Sequence, residues 1–429
     1  MYVLQLCCFI CLLGLLSNIA YAENNSTPDT NGGLLLGFDQ EELKLIASDA
    51  EAINKPTPTN TLTVKKNTGK EASDNLLGFD KTELNLLISG PQATPENADP
   101  RGIKPERLII GMPTGGVKGT YYPLAKDIAK LAASRGLTID VKPSSGSLDN
   151  IRRMASNENA GLSIVQADVL AFLSTNPSSA NKTIIDNLRP VFSLYSEEIH
   201  LLARGNIKTL SDLSNKRVIV GELGSGIPIT ANTIFEKIGI DFEPLMSVNT
   251  EAALKKFVLG EADAIFFVGG KPISHINSLL EMKTNKALSE YTKGIHLLPI
   301  DDERLYDIYT KAEITSEDYQ SKNGLHHLTK TTIPTIAVEA ILVSYDFSKN
   351  DSPYYKLRCK QVNHLNSIIR ENLPALAAGG NKQYHPKWAD VNLNQTTKLP
   401  KNHCIQDTQP AKNDLKAIDC YLQSGSSCQ

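Results

Sequence analysis

Three times along this chain a short apolar run stops at a glycine- or serine-rich turn, and a helical pattern begins at once. The first case is residues 108–122, L-I-I-G-M-P-T-G-G-V-K-G-T-Y-Y. Its opening residues have the length and apolar character of a strand. From Thr120 the period changes, with Leu124, Ile128, Leu131 and Ala132 at helical spacing. The second case joins a strand over residues 138–142 through P-S-S-G-S to a helix bearing Leu148, Ile151, Met154 and Ala155. There Ser147 has the place of an N-cap, with Asn150 at the third helical position. The third turns from residues 216–222 through G-E-L-G-S-G into a helix over residues 229–238. A helix started this way leaves its first backbone N–H groups unpaired and partly positive, which suits a carboxylate, phosphate or sulfate. The pattern therefore predicts a chain that holds a small anion.

The same alternation organises the remainder of the core. Residues 162–166 read as a third strand, followed by a helix for which Asp168 is a natural cap. Residues 189–195 and 199–204 are two extended runs that lead the chain out of its first domain. A buried strand over residues 265–268 ends at Gly269-Gly270-Lys271-Pro272, and further strands are expected over 295–300 and 337–345. A long helix from about 352 to 376 closes the pattern. Strands alternating with helices define an α/β architecture with largely parallel sheets, whose ligands sit at the carboxyl ends of strands.

Enzyme signatures are missing from these turns. The G-G-V-K-G-T turn lacks the G-K-[ST] of a phosphate loop, because Gly119 follows Lys118, and Lys118 reads as a solvated turn residue. Around Ser225 the spacing of a nucleophile elbow fails, with Leu223 where a glycine belongs. The eight histidines form no zinc-binding pair, and nothing in the chain asks for a cofactor. Tyr121 and Tyr122 are adjacent on one helix and cannot share a face, so one of them should point at the crevice. The formal charge of −3 across 429 residues, with no basic stripe, excludes a nucleic-acid footprint.

Ahead of the core, residues 3–16 are almost wholly apolar and A-Y-A ends at Ala22, which predicts a cleaved signal peptide over residues 1–22 and a periplasmic or secreted protein. Residues 23–103 read as a flexible extension with a repeat. Phe38, Asp39, Glu42 and Leu43 recur as Phe79, Asp80, Glu83 and Leu84 in two G-F-D-x-x-E-L copies, each with the spacing of a capping box and hydrophobic staple. Each copy encodes one short amphipathic helix that needs a surface to dock on, either the chain's own core or a protein partner. Beyond the signal four cysteines remain, Cys359, Cys404, Cys420 and Cys428, enough for two disulfides in any of three pairings.

Six segments in order carry a family resemblance: T-G-G-V-K-G-T-Y-Y-P-L at 114–124, S-S-G-S-L-D-N at 144–150, V-Q-A-D at 165–168, G-S-G-I-P-I-T-A at 224–231, G-E-A-D-A-I-F-F-V-G-G-K-P at 260–272, and His385-Pro386. Together they resemble the TAXI family of solute receptors that serve TRAP-type transporters. The resemblance implies a two-lobed periplasmic-binding-protein fold, type II-like, with hinge-crossing strands. It would place lobe I at 104–198, lobe II at 199–333, the return to lobe I and a C-terminal helix at 334–390, and a cysteine-bearing tail at 391–429. It also implies closure on a glutamate-like amino acid or a dicarboxylate, and TRAP membrane permease subunits as partners. The expected ligand-binding residues are Thr114, Gly115, Gly116, Thr120, Tyr121, Ser145, Gly146, Ser147, Asn150 and Gln166 from one lobe, with Ser225, Gly226, Thr230 and Gly269 from the other. The chain departs from the family at H-P-K-W-A-D over residues 385–390, and no ligand-pinning arginine is evident. An alternative reading keeps the core as a sensing scaffold and uses the N-terminal repeats to grip a partner.

Overall fold

Short strands feeding directly into helices can only stack side by side, and two much longer strands tie the stacks together. A computed structural model describes residues 109–405, apart from residues 156–159, 176–184, 287, 320–331, 379–383, 394, 396 and 398. The expected signal peptide, both repeats, Cys420 and Cys428 lie outside the described residues.

In the first lobe β1 (Ile110–Pro113) pairs in parallel with β2 (Ile139–Lys142), and an isolated parallel bridge from Gly111 to Ala160 leads to β3 (Leu162–Gln166). Helix α1 (Tyr121–Ala133) follows β1, α2 (Ser147–Ala155) follows β2, and α3 (Ala167–Thr175) follows β3. The apolar stripe of α1 buries Leu124, Ala125, Ile128 and Ala132 against Ile110, Met112 and Ile164. On the opposite face Leu148, Ile151 and Met154 of α2 join Val165, Val169 and Leu170. Burying a side chain of this size contributes roughly 1.5–3 kcal/mol, so these two stripes dominate the lobe's stability.

Strand β4 (Leu188–Ala203) leaves this lobe and enters the second. There α4 (Ile227–Ile238) follows β5 (Arg217–Glu222), α5 (Thr250–Val258) follows β6 (Glu243–Ser247), and α6 (Ser274–Met282) follows β7 (Ala264–Gly269). Strands β6, β5 and β7 are parallel neighbours, and β7 runs antiparallel to β4. The two-residue strand β8 (His296–Leu297) pairs with β4, and β9 (Thr310–Thr315) pairs with β10 (Thr332–Tyr345). Strand β10 runs back antiparallel to β4, and its far end pairs with β3 in the first lobe. The eight strands from β3 to β10 form one mixed sheet that is bent between two cores.

The crossing differs from the expectation of two runs. Residues 188–203 are one strand of 16 residues, although Glu197 and Glu198 interrupt its apolar pattern. Both carboxylates are buried and both are partnered, so they act as interior residues of a continuous strand. Strand β6 escaped the sequence reading because E-P-L-M-S is short and contains Pro244. Proline is tolerated there because β6 lies at the sheet edge.

Helix α7 (Pro353–Ala377) starts with Pro353 in its first turn and Ser352 accepting from the Tyr355 N–H, then packs across the first lobe. From it Cys359 forms a disulfide to Cys404, with Cα atoms 4.9 Å apart across 45 residues of sequence. Among the described residues no helix is long and apolar enough to cross a membrane.

Candidate functional site

A cavity of about 500 Å³ is lined by residues of both lobes, and it collects the strand-to-helix turns. Five helices begin at its wall. Residues 115–121 lead into α1, 144–147 into α2, 225–227 into α4, 249–251 into α5 and 272–275 into α6. Helices α1, α4 and α6 have no side-chain cap on their N-terminal N–H groups, at Thr120, Gly226 and Ile273 respectively. Helix α5 is different, since Asn249 accepts from the Ala252 N–H at 2.8 Å. Uncapped helix starts aimed at one cavity give it a field that favours a negative group.

Of the residues expected to bind ligand, Gly115, Gly116, Thr120, Tyr121, Ser145, Gly146, Ser147, Gln166, Ser225, Gly226 and Gly269 line this cavity. Thr114, Asn150 and Thr230 do not, and each has its polar atoms engaged elsewhere. Thr114 Oγ1 donates to the Lys142 carbonyl at 3.0 Å, tying β1 to β2. Asn150 Nδ2 donates to the Thr114 and Ile164 carbonyls, and its Oδ1 accepts from Ser144 at 2.6 Å. That side chain fastens α2 beneath the cavity floor. Thr230 Oγ1 donates to Asp168 at 2.6 Å.

Ser147 also departs from its expected role. It is the first helical residue, and its hydroxyl accepts from the Gln166 N–H at 3.1 Å instead of capping α2. This bond locks the end of β3 to the start of α2 and leaves the Gln166 side chain on the cavity wall. Of the two tyrosines, Tyr121 faces the cavity, and its hydroxyl donates to Glu197 Oε2 at 2.6 Å.

The acidic residues are what the sequence reading missed. Glu197 lies on β4 between the lobes, 3% exposed, and burial pushes its carboxyl up to about 8. Its neighbour Glu198 points to the other side of the strand, where Lys387 Nζ donates to both oxygens at 3.1 and 3.3 Å and the Lys271 N–H adds a bond at 2.9 Å. Lys387 belongs to the H-P-K-W-A-D segment, which thereby supplies a counter-charge to the crossing strand. Trp388 beside it is fully buried and donates to Asp127 at 2.9 Å. His385 reaches the cavity wall, and burial lowers its tendency to protonate. Glu222, the last residue of β5, is pushed up to about 7 by burial and by the nearby Glu251 and Asp149. A signal for Glu222 was present in G-E-L-G-S-G. For Glu197 there was none, because a glutamate inside a strand run looks like the run's end.

Contacts between lobes flank the cavity. Lys118 was expected to be solvated in its turn. It is an exposed turn residue, and its ammonium also reaches Glu251 on α5 at 2.9 Å, while His275 approaches the same carboxylate at 3.4 Å. On the other side the Asp149 N–H donates to the Gly224 carbonyl at 2.8 Å. Gly146, at φ +124°, brings its Cα within reach of the Ser225 backbone, where a Cβ would stand 3.1 Å from Ser225 Cα. Only glycine permits this approach at that backbone angle. Asp168 accepts from Thr230 and from Tyr309 at 3.1 Å, joining α3 to lobe II. These contacts join the two lobes around the cavity.

Two α/β lobes joined by crossing strands, with a cavity between them walled by helix starts, make an architecture of the periplasmic-binding-protein kind. Residues 112–359 match the NMT1-like family, and the chain belongs to that family. Similar solved structures include a Bordetella bronchiseptica RB50 protein, with 16% identity and TM-score 0.38, covering 66% of this chain and 77% of the other. A Candida albicans gene product described as having the generic periplasmic binding protein fold shows 14% identity and TM-score 0.37, covering 67% of this chain and 82% of the other. The substrate binding protein of an amino acid ABC transporter shows 14% identity and TM-score 0.36, covering 64% of this chain and all of the other, 100%.

Proposed function

We propose that the protein is an extracytoplasmic receptor of the TAXI type, which captures a small organic anion between its lobes and delivers it to a TRAP-type permease. The observation that carries the reading is the convergence of five helix starts, three of them without a side-chain cap, on one interlobe cavity. Fixed backbone dipoles bind a carboxylate without a buried arginine, and among the described residues no arginine lines the cavity. No catalytic role is proposed for the lining. Closure follows population-shift logic, because a ligand touching both lobes has its full contacts only in the closed state.

The test is a thermal-shift screen of the purified chain against small carboxylates and amino acids. A ligand at 100 times its dissociation constant should raise stability by about 2.7 kcal/mol. No shift with any of them would remove the reading. A second reading is favoured by the repeated G-F-D-x-x-E-L motif, which a receptor acting alone does not need. In it the core senses ligand while the repeats hold a protein partner, and capture of that partner by a peptide of residues 31–90 would support it.

A further inference from the structure

A buried carboxyl on the wall of an anion's cavity needs either a cation or a proton, and Glu197 has no cation. It lies on the crossing strand β4, is buried, and lines the cavity. The Tyr121 hydroxyl donates to its Oε2 at 2.6 Å. Its other oxygen, Oε1, receives no hydrogen bond from the described residues and keeps accessible surface on the cavity wall. The ammonium whose charge bears on Glu197, Lys387, is already engaged by both oxygens of Glu198 and by Asp390 at 2.7 Å.

The other groups that face Glu197 are negative or uncharged at pH 7. Glu198 follows it on the strand, Asp168 faces it from α3, Tyr121 from α1, and Tyr195 lies two residues back on β4. The paired strands β10 and β7 place Val338 opposite Glu197 and Gly269 opposite Glu198, and neither titrates. His385 shares the cavity wall, where burial disfavours its cation. Burial first, and then the charges of Asp168 and Glu198, push the Glu197 carboxyl up to about 8.

Resting on the receptor reading above, we propose that Glu197 meets the captured anion as a neutral acid, with Tyr121 occupying Oε2 and the proton on Oε1 donated to a ligand oxygen. A protonated carboxyl has one O–H to give, and an apolar, crowded site keeps that proton in place at neutral pH. The uncapped helix starts supply partial positive charge that no pH change removes. Glu197 adds a donor that does disappear. Once deprotonated it becomes a second negative charge beside the ligand, so anion capture is coupled to the protonation of the crossing strand. Above pH 8 the fraction of receptor able to bind falls about tenfold per pH unit.

Two measurements on the purified full chain test this. Carbon-13 NMR of protein labelled at the glutamate carboxyls reads the proton without any ligand, and Glu197→Gln assigns the signal. The Glu197 carboxyl should be neutral at pH 7 and titrate near 8; a carboxyl already charged at pH 7 overturns the inference. Titration calorimetry at pH 7 and pH 9 then uses the common L-amino acids, succinate, glutarate and 2-oxoglutarate as probes. A probe that binds should bind about tenfold more weakly at pH 9. Glu197→Gln, whose amide donates at either pH, should bring that ratio close to one. Glu197→Ala should bind at least tenfold more weakly than Glu197→Gln at pH 7, with melting temperatures as the folding control. Glu222, also on the wall and pushed up to about 7, is kept in every variant. A pH dependence that survives Glu197→Gln therefore belongs to another group and overturns the inference. Affinity that is flat or rises with pH overturns it too, the rise meaning a charged Glu197 that answers a cation, and leaves the receptor reading standing. Absence of binding by every probe at both pH values removes the receptor reading and the inference with it.

Discussion

Asp168 is the second residue of α3, not the cap expected of it, and its Oδ1 accepts only from the adjacent Val169 N–H at 2.9 Å. Its other oxygen reaches into lobe II, to Thr230 and Tyr309. Burial raises the carboxyl to about 6, above its value of about 3.9 in an unfolded chain. A raised carboxyl contributes stability while it is protonated, fully below the unfolded value, and that contribution is lost as the pH rises through 6. The difference between the two values corresponds to about 3 kcal/mol. Asp168→Asn keeps the shape and the acceptor oxygen but removes the titration. Urea unfolding between pH 4 and 7 should therefore show the wild type losing about 2 kcal/mol relative to the variant. Parallel stability curves for the two proteins would mean that Asp168 titrates normally.

At the scale of elements, the crossing strand β4 depends on a segment nearly two hundred positions later in the chain. The 3₁₀ turn Pro386–Asp390 lays Lys387 against Glu198, with side chains 6% and 8% exposed, while Trp388 anchors the turn in the core of lobe I. Removing one member of a buried pair strands the other charge, which costs about 3–5 kcal/mol, whereas replacing both costs much less. Lys387→Met should therefore destabilise the chain by about 3 kcal/mol or more in denaturant unfolding, and adding Glu198→Gln should recover a large part. If the double variant is no better than the single one, the role of Lys387 is packing of its stem. The strand-to-helix elements were legible because a change of period from two to 3.6 survives in the sequence of α1, α2 and α4. Strand β9, T-K-A-E-I-T, was not, because most of it is only partly covered or exposed and its place is set by pairing with β10.

For the whole molecule, the segment after α7 is held to lobe I by the Cys359–Cys404 disulfide, with Cys404 buried in that lobe's core. Closing a loop of 45 residues lowers the entropy of the unfolded chain by about 4 kcal/mol at 25 °C on the chain-entropy model. Cys404→Ser should lower stability by about 2–5 kcal/mol and leave ligand binding unchanged, because neither cysteine touches the cavity. Calorimetric melting with and without reductant checks it. A variant that melts with the wild type would assign the tail's attachment to Trp388 and its neighbours.

The sequence by itself determined that this is an α/β chain with glycine- and serine-rich helix starts, and it named eleven residues that meet at the cavity wall. Those features are local, set by backbone freedom in the turns and by the spacing of apolar residues over a few positions. Tertiary structure alone decided the fate of polar side chains whose partners are distant in sequence. Thr114, Asn150 and Thr230 became internal fasteners, Glu197 and Glu198 became buried members of one strand, and Lys118 bridged the lobes. A hydroxyl, amide or charge has the same local signature whether it faces a ligand or a carbonyl a hundred residues away. Its role is settled by which groups the fold brings within about 3 Å and away from water.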